Sequence, residues 1–454
     1  MTIAIILMFI IGYLAIVFEH PLKLDKTVPA LLTGVLCWTI LAIGFYNGSL
    51  TIADSHGNLF NAASGMTDTL YEHFSETLFH HTGKISEILI FLICAMTIVE
   101  LIDLHQGFSI MKDFIETKSK IKLLWISGIF VFFLSAIIDN LTAVIVIITI
   151  LRKLIPNKDE RLWYSCLAIT AANAGGAWSP MGDVTTTMLW IGKKVSSQGL
   201  ISYLPLPSLV CFITPYLLAS FSKVFKGTIK VEHSSITDEQ KYLSSKIMLW
   251  LGLGCILFVP IFKTLTHLPP YIGMILALAI MWLTSEFIHP EENFDKSKRK
   301  LFSVHKALSR IEISSILFFL GILLAVGALE TIAIDGIGSL RYAAEWLQNI
   351  VPNLDAVVII LGFFSAIIDN VPLVAASMGM FTEPIDAKLW HFIAYSAGTG
   401  GSMLIIGSAA GVAAMGMEKI NFIWYFKKIT WLTTLGFLLG AFVFILQYFI
   451  FHGQ

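Results

Sequence analysis

The stretch FFLSAIIDNLTAVIV, residues 132–146, sets an aspartate and an asparagine, Asp139 and Asn140, in the middle of apolar sequence. A second stretch, GFFSAIIDNVPLVAA at 362–376, repeats the letters SAIIDN around Asp369 and Asn370. An ionised carboxylate at bilayer depth costs at least ~2.5–3.5 kcal/mol on insertion scales, so an acid kept there has work to do. What surrounds the two stretches decides whether they lie at that depth.

Of the 454 residues, 56% are hydrophobic and only 13% charged, with a mean hydropathy of +0.79. A soluble protein of this size needs more polar surface. Apolar runs recur at 1–18, 29–46, 85–102, 203–222, 247–262, 271–288, 312–329 and 429–451. Each is long enough to cross a hydrocarbon core of ~30 Å as a helix. The composition predicts an all-α polytopic membrane protein whose main partner is the lipid bilayer, with no nucleic-acid partner and no cofactor. The net charge of −1 adds little. The cysteines (Cys37, Cys94, Cys166, Cys211, Cys255) show neither metal-ligand spacing nor pairing and read as small core residues. Residues 1–18 lack a basic n-region and read as a retained helix.

Orientation follows from lysine and arginine, which concentrate in cytoplasmic loops. The loop at 103–122 holds Lys112, Lys118, Lys120 and Lys122, and that at 152–162 holds Arg152, Lys153, Lys158 and Arg161. Residues 223–246 hold five lysines, and 289–311 hold Lys296, Lys298, Arg299, Lys300, Lys306 and Arg310. By contrast 47–83 has no Lys or Arg, and 333–353 has only Arg341. Two basic loops flank 123–151, so that segment enters and returns. Its 29 residues suit a re-entrant helical hairpin with its tip at SAIIDN. Backbone of that kind is tolerated only where protein or a water-filled cavity surrounds it. Segment 354–382 has the same length with the flanks reversed, so it enters from the opposite side. The pair reads as an inverted repeat, the architecture of many secondary transporters.

The repeat continues. AANAGGAWSPMGDVTTT at 171–187 and SAGTGGSMLIIGSAAG at 396–411 each carry Gly-Gly, five residues, then Gly. Glycine pairs, small residues and Pro180 disfavour continuous helix, so 162–192 and 389–417 read as membrane helices unwound midway. Ahead of the hairpins, 87–100 resembles 315–330, each ending in a glutamate, Glu100 and Glu330. The expectation is about ten crossing helices, two hairpins and two broken helices, with both termini and the 47–84 loop extracytoplasmic. In sequence order these divide into N-terminal helices and outer loop (1–84), first repeat (85–222), connecting helices (223–311) and second repeat (312–454).

The hairpin tips and breaks bring Asp139, Asn140 and Thr142, Asp369 and Asn370, Asn173, Ser179, Asp183 and Thr185–Thr187, and Ser396, Thr399, Ser402 and Ser408 toward one depth. Carboxylate, amide, hydroxyl and carbonyl oxygens are hard ligands that suit Na⁺ or Li⁺, and free carbonyls at half-helix C-termini favour cations. A carboxyl removed from water favours its neutral form, whereas a cation beside it favours ionisation and releases the proton. One site holding either Na⁺ or H⁺ is an exchanger, with Asp139 and Asp369 as the direct Na⁺ ligands. Asp183 has no acidic counterpart, Ser408 standing in its aligned place, and it reads equally as a ligand or as the N-cap of VTTTMLW. The threonines 185–187 read first as bonds to their own helix; Glu100 reads either as part of a proton path or as an interfacial carboxylate, the second being the simpler. TDTLYEHFSETLFHH at 67–81 aligns Leu70, Phe74 and Leu78 and predicts a helix lying on the membrane surface; Asp54, Asp68, Glu72, Glu76, His56, His73, His80 and His81 read first as a solvated face, with cation attraction by the acids and pH sensing by the histidines as the alternative.

These motifs, SAIIDN at 135–140 and 365–370, AANAGGAWSPMGD at 171–183 and SAGTGGSMLIIGSAAG at 396–411, resemble those of the NhaD-type sodium/proton antiporters of the ion transporter superfamily. The resemblance implies export of Na⁺ or Li⁺ for H⁺ across a bacterial cytoplasmic membrane. By position it implies a core of Asp139, Asn140, Asp369 and Asn370, with Asn173, Asp183, Thr399 and Ser402 around it. It also implies a homodimer built on a scaffold domain, with 29–46 and 203–288 as scaffold candidates, and a transport domain that moves as a block. A sodium-coupled carboxylate symporter of the same superfamily is the nearest rival. Such carriers place Ser-Asn-Thr at the hairpin tips, where this chain has Ile-Asp-Asn, and an aspartate there repels a carboxylate. An intramembrane aspartyl protease would need Gly-x-Gly-Asp; here Pro180-Met181-Gly182-Asp183 lacks the first glycine, and no enzyme is expected.

Overall fold

A computed structural model describes residues 1–54, 58–110, 115, 117–229, 242–288 and 302–452. His56, Lys112, Lys230, Lys241 and the basic residues 296–300 lie outside the described residues. In chain order the main elements begin with α1 (Thr2–Val17), α2 (Thr27–Tyr46), the hairpin β1–β2 (Thr51–Ala53, Leu59–Asn61) and α3 (Asp68–Leu104). Next come α4 (Lys120–Ile137), α5 (Asn140–Leu154), α6 (Lys158–Gly176), α7 (Val184–Ile191), α8 (Ser197–Tyr203) and α9 (Pro205–Ser220). They are followed by α10 (Ser245–Thr266), α11 (Pro270–Phe287), α12 (Ile313–Thr331), the hairpin β3–β4 (Ala333–Ile334, Ile337–Gly338) and α13 (Ser339–Ile350). The chain closes with α14 (Leu354–Ser365), α15 (Asn370–Met380), α16 (Lys388–Gly400), α17 (Ala409–Glu418), α18 (Phe422–Lys428) and α19 (Thr430–His452). It is a helical, multi-pass membrane protein. The two short antiparallel hairpins are a small departure from the all-α expectation.

Among the described residues, 7 helices are long and apolar enough to cross a membrane, or up to 9 if each bent pair counts as one span. One such pair is α8 and α9, bent by 47° where Pro205 starts the second helix. The first apolar run is shorter than expected: α1 has 16 residues, about 24 Å at 1.5 Å per residue. In the first hairpin the arms are longer. α4 alone has 18 residues and meets the length of a crossing, because Lys120 and Lys122 lie inside its first turn rather than in the loop. The second hairpin, α14 and α15, keeps close to the expected bounds.

The membrane-surface helix at 67–81 is a correction. Residues 68–104 form one helix of 37 residues, about 55 Å long, because Gly83 does not interrupt it. Phe74, the middle residue of that stripe, is buried against the rings of Trp38, Phe45 and Tyr46 of α2.

Two compact units divide the chain, neither of them contiguous in sequence. The first holds Met1–Ile90, Glu312–Val357 and Val371–Pro384. In it α2 packs along α12 and α1 along α2. Trp38 Nε1 donates to the Leu324 carbonyl at 2.9 Å, and His81 Nε2 lies 3.1 Å from Thr331 Oγ1. The second holds Phe91–Ile311, Val358–Asn370 and Ile385–Gln454. Here α4 and α5 pack on α6, α9 on α19, α10 on α11, and α17 on α5 and α6. Every residue of the candidate site belongs to this second unit.

Candidate functional site

Four interruptions of helix build the site, and each leaves one helix C-terminus and one helix N-terminus. α4 ends at Ile137 and α5 starts at Asn140; α6 ends at Gly176 and α7 starts at Val184. α14 ends at Ser365 and α15 starts at Asn370; α16 ends at Gly400 and α17 starts at Ala409. Matching contacts hold the two sets. Ser135 Oγ donates to the Ala172 carbonyl at 2.6 Å, and Ser365 Oγ to the Ala397 carbonyl at 2.8 Å. A Cβ at Gly175 would collide with the Phe132 carbonyl, and one at Gly400 with the Gly362 carbonyl. Only glycine lets each hairpin arm touch its broken helix this closely.

The N-termini are capped by the polar residues singled out in the sequence. Asp139 Oδ1 accepts from Thr142 N at 2.8 Å and Oδ2 from Thr142 Oγ1 at 2.6 Å. Asp183 caps α7: Oδ2 accepts from Thr185 Oγ1 at 2.8 Å, and Oδ1 from Thr185 N at 3.5 Å. Ser408 Oγ accepts from Gly411 N at 3.1 Å at the start of α17, with backbone angles (φ −143°, ψ 150°) close to those of Asp183 (φ −147°, ψ 144°). Asp369 directly precedes α15.

Hydrogen bonds then join the four interruptions. Asn140 Nδ2 donates to Asn173 Oδ1 at 3.0 Å, and Asn173 Nδ2 donates to Ser402 Oγ and Ser408 Oγ, each at 3.0 Å. Asn370 Nδ2 donates to Asp183 Oδ2 at 3.3 Å. Asp369 lies within electrostatic reach of Asp183. Asn140, Asn173, Asp183, Asn370, Ser402 and Ser408 are all buried, whereas Asp139 and Asp369 are half-buried.

The structure brings the segments named in the sequence into contact and sets Asp183 deepest among their aspartates. Asp183, left open between cap and ligand, is both a cap and the buried carboxylate that the second hairpin reaches. Asp139 joins the network through its neighbour Asn140. Thr399 behaves differently: its Oγ1 donates to the Tyr395 carbonyl one turn back at 2.6 Å, and the side chain lies against Cys211. Thr185 and Thr186 bond to Asp183, and Thr187 Oγ1 to the Pro180 carbonyl, so these hydroxyls are local ties. The buried Ser396 hydroxyl has no hydrogen-bond partner among the described residues.

Two contributors were not singled out in the sequence. Tyr425 Oη donates to the Ser402 carbonyl at 2.7 Å and so ties α18 to the second break. Glu418 ends α17 with its side chain 1% exposed, between Arg152 Nε at 2.7 Å and Arg161 Nε at 2.9 Å. Arg152 also donates to the Met417 carbonyl. In sequence these are loop charges; only the packing of α17 on α5 and α6 brings them together. Among the described residues no group of three or more His, Cys, Asp or Glu side chains is placed to hold a metal ion. What the site offers is a set of carboxylate, amide, hydroxyl and backbone oxygens, a hard donor set.

A family described as citrate transporter (CitMHS) matches residues 13–391. The chain is 42% identical over 441 residues to sodium/proton antiporter 1 of Arabidopsis thaliana, covering 96% of this chain and 71% of that protein. It is 40% identical over 444 residues to sodium/proton antiporter 2 of the same plant, covering 97% and 98%. It is 30% identical over 438 residues to Na(+)/H(+) antiporter NhaD of Halomonas elongata, covering 91% and 81%. The chain belongs to the citrate transporter family, in its branch of NhaD-type sodium/proton antiporters. The family's description and the relatives' names point to cargo of opposite charge. For this NhaD-type chain the choice between them turns on what occupies the helix N-termini.

Proposed function

We propose that the chain exchanges Na⁺ (or Li⁺) for H⁺ across a membrane, at one site served by alternating access. The observation that carries this reading is the capping of the helix N-termini by the protein's own acids. A helix N-terminus favours an anion, and a carboxylate cargo would need that positive end. Asp139 and Asp183 already occupy two of the four, and Asp369 stands at a third. What remains for a cargo is oxygen: carboxylate faces, the Asn173 and Asn370 amides, Ser402, Ser408 and the carbonyls of the broken helices. Such a set favours a hard monovalent cation, or the proton that replaces it on a carboxylate. Asn140, Thr399 and Ser396 complete the proposed shell, with Thr399 acting through the fit of its helix.

The finer parts of the reading are proposals as well. The matched contacts of the two hairpins and two breaks support an inverted repeat of about ten crossings, with the basic loops cytoplasmic and the termini outside. The relatives named above come from a plant and a bacterium; a bacterial cytoplasmic membrane and a homodimer are proposed for this chain. The family description supports a second reading, sodium-driven uptake of a carboxylate such as citrate. Purified protein in liposomes with an internal pH dye separates the two. Na⁺ addition should move protons without citrate, and a Na⁺ gradient should drive no labelled citrate. Citrate uptake with no proton movement would reverse the assignment.

A further inference from the structure

A cavity of about 610 Å³ lies within the second unit, between the C-terminal turns of α3 and one face of α5. From α5 it takes Thr142, Ile145, Val146, Thr149 and Lys153, a stripe at helical spacing. From the other side it takes Glu100, Asp103 and Arg310. Thr142, at one end, is the residue whose hydroxyl and amide hold the Asp139 carboxylate at 2.6 and 2.8 Å. At the other end Arg310 Nε lies 3.0 Å from Glu100 Oε2, and Nη2 lies 2.8 Å from Asp103 Oδ2. Exposure falls from Asp103 at 48% and Arg310 at 41% to Glu100 at 27%, so the Arg310 end is the wet one.

We propose that this cavity is the water-filled path to Asp139 from the Lys153 face, and that Arg310, clamped to Glu100 and Asp103, narrows its entrance. Carboxylates and a guanidinium opening onto hydrocarbon would cost several kcal/mol, which favours water over lipid as the filling. Glu100, an interfacial carboxylate in sequence, becomes one anchor of the constriction. The inference rests on the exchange reading, but its test does not use transport.

The five native cysteines are buried, which leaves a quiet background for a new thiol. Thr149→Cys in full-length protein is treated with a cationic, membrane-impermeant methanethiosulfonate, in right-side-out and in everted vesicles. Labelling is expected from the Lys153 face alone. In the Arg310→Gln background, cationic and anionic impermeant reagents should both react several-fold faster. Reaction only with a lipid-soluble maleimide would mean a lipid-filled cavity and overturn the path. So would equal labelling from both faces. Acceleration of the cationic reagent with slowing of the anionic one would mean that Arg310 acts by charge alone, and would overturn the constriction. Labelling as expected in a protein that moves no Na⁺ would defeat the exchange reading and leave the path standing.

Discussion

Asn370 Nδ2 donates to Asp183 Oδ2 across 3.3 Å, although 187 positions of sequence separate the two. The bond ties the tip of one hairpin to the break of the other set's helix, so a group that caps α7 is also the group that the second hairpin touches. In the proposed exchanger, cap and cation ligand would be two roles of this one carboxylate, and substitution separates them.

Asn caps a helix about as well as Asp. Asp183→Asn should therefore insert and fold with its α7 cap from Thr185 N intact, its melting temperature falling only modestly because Asn370 Nδ2 loses its acceptor, while Na⁺-dependent proton movement in everted vesicles is abolished. Full exchange in this variant would reduce Asp183 to a cap. Asp139→Asn and Asp369→Asn should behave alike.

Asn173 serves three partners at once. Asn173→Ala removes the acceptor of Asn140 and the donor to Ser402 and Ser408. An orphaned buried polar group costs about 1–3 kcal/mol, so the melting temperature should fall as well as the exchange rate. Asn173→Asp keeps the acceptor but adds charge, and should retain more stability than the alanine variant. An unchanged melting curve for Asn173→Ala would show that the amide joins nothing of consequence.

If one site holds either ion, protons compete with Na⁺. Below the titration point of the site, the apparent KM for Na⁺ should rise as pH falls, approaching tenfold per unit for one competing proton; the maximal rate should change far less. Initial rates across a pH series check this. A falling maximal rate at constant KM would mean separate sites.

Glu418 anchors α17 from a position almost closed to solvent. Removing one member of a buried ion cluster costs about 3–5 kcal/mol, so Glu418→Gln should be among the most destabilising conservative changes in the chain. Arg161 has 14% of its side chain exposed and Arg152 44%. Arg161→Gln should accordingly lower the melting temperature more than Arg152→Gln, because the more exposed pair is weakened by solvent. Equal, small effects from all three would remove the anchor.

Much of this architecture is legible in the sequence because the features that interrupt apolar helix are local. Asp-Asn pairs, the Gly-Gly steps and Pro180 mark where α4, α6, α14 and α16 stop, and the structure ends those helices within a few residues of the expected places. Gly83 misled in the other direction: one glycine costs a helix only about 1 kcal/mol, which the packing of Phe74 outweighs. The pairing of Asn173 with Ser402 and Ser408, and of Glu418 with Arg152 and Arg161, joins residues more than 220 positions apart. No local pattern encodes such contacts. The burial of Asp183 relative to Asp139 and Asp369 was hidden for the same reason, since all three stand at similar places beside a helix start.

The Asp139 carboxylate receives two bonds from Thr142, one from its amide and one from its hydroxyl. In the proposed exchanger the same oxygens would also take the proton, and a protonated acid is a poorer acceptor than an anion. Each proton that arrives would slacken the first turn of α5, and each Na⁺ that displaces it would tighten that turn again. Titration and mechanical movement of the hairpin tip would then be a single event, with the cargo's identity written directly into the stiffness of the backbone that holds it.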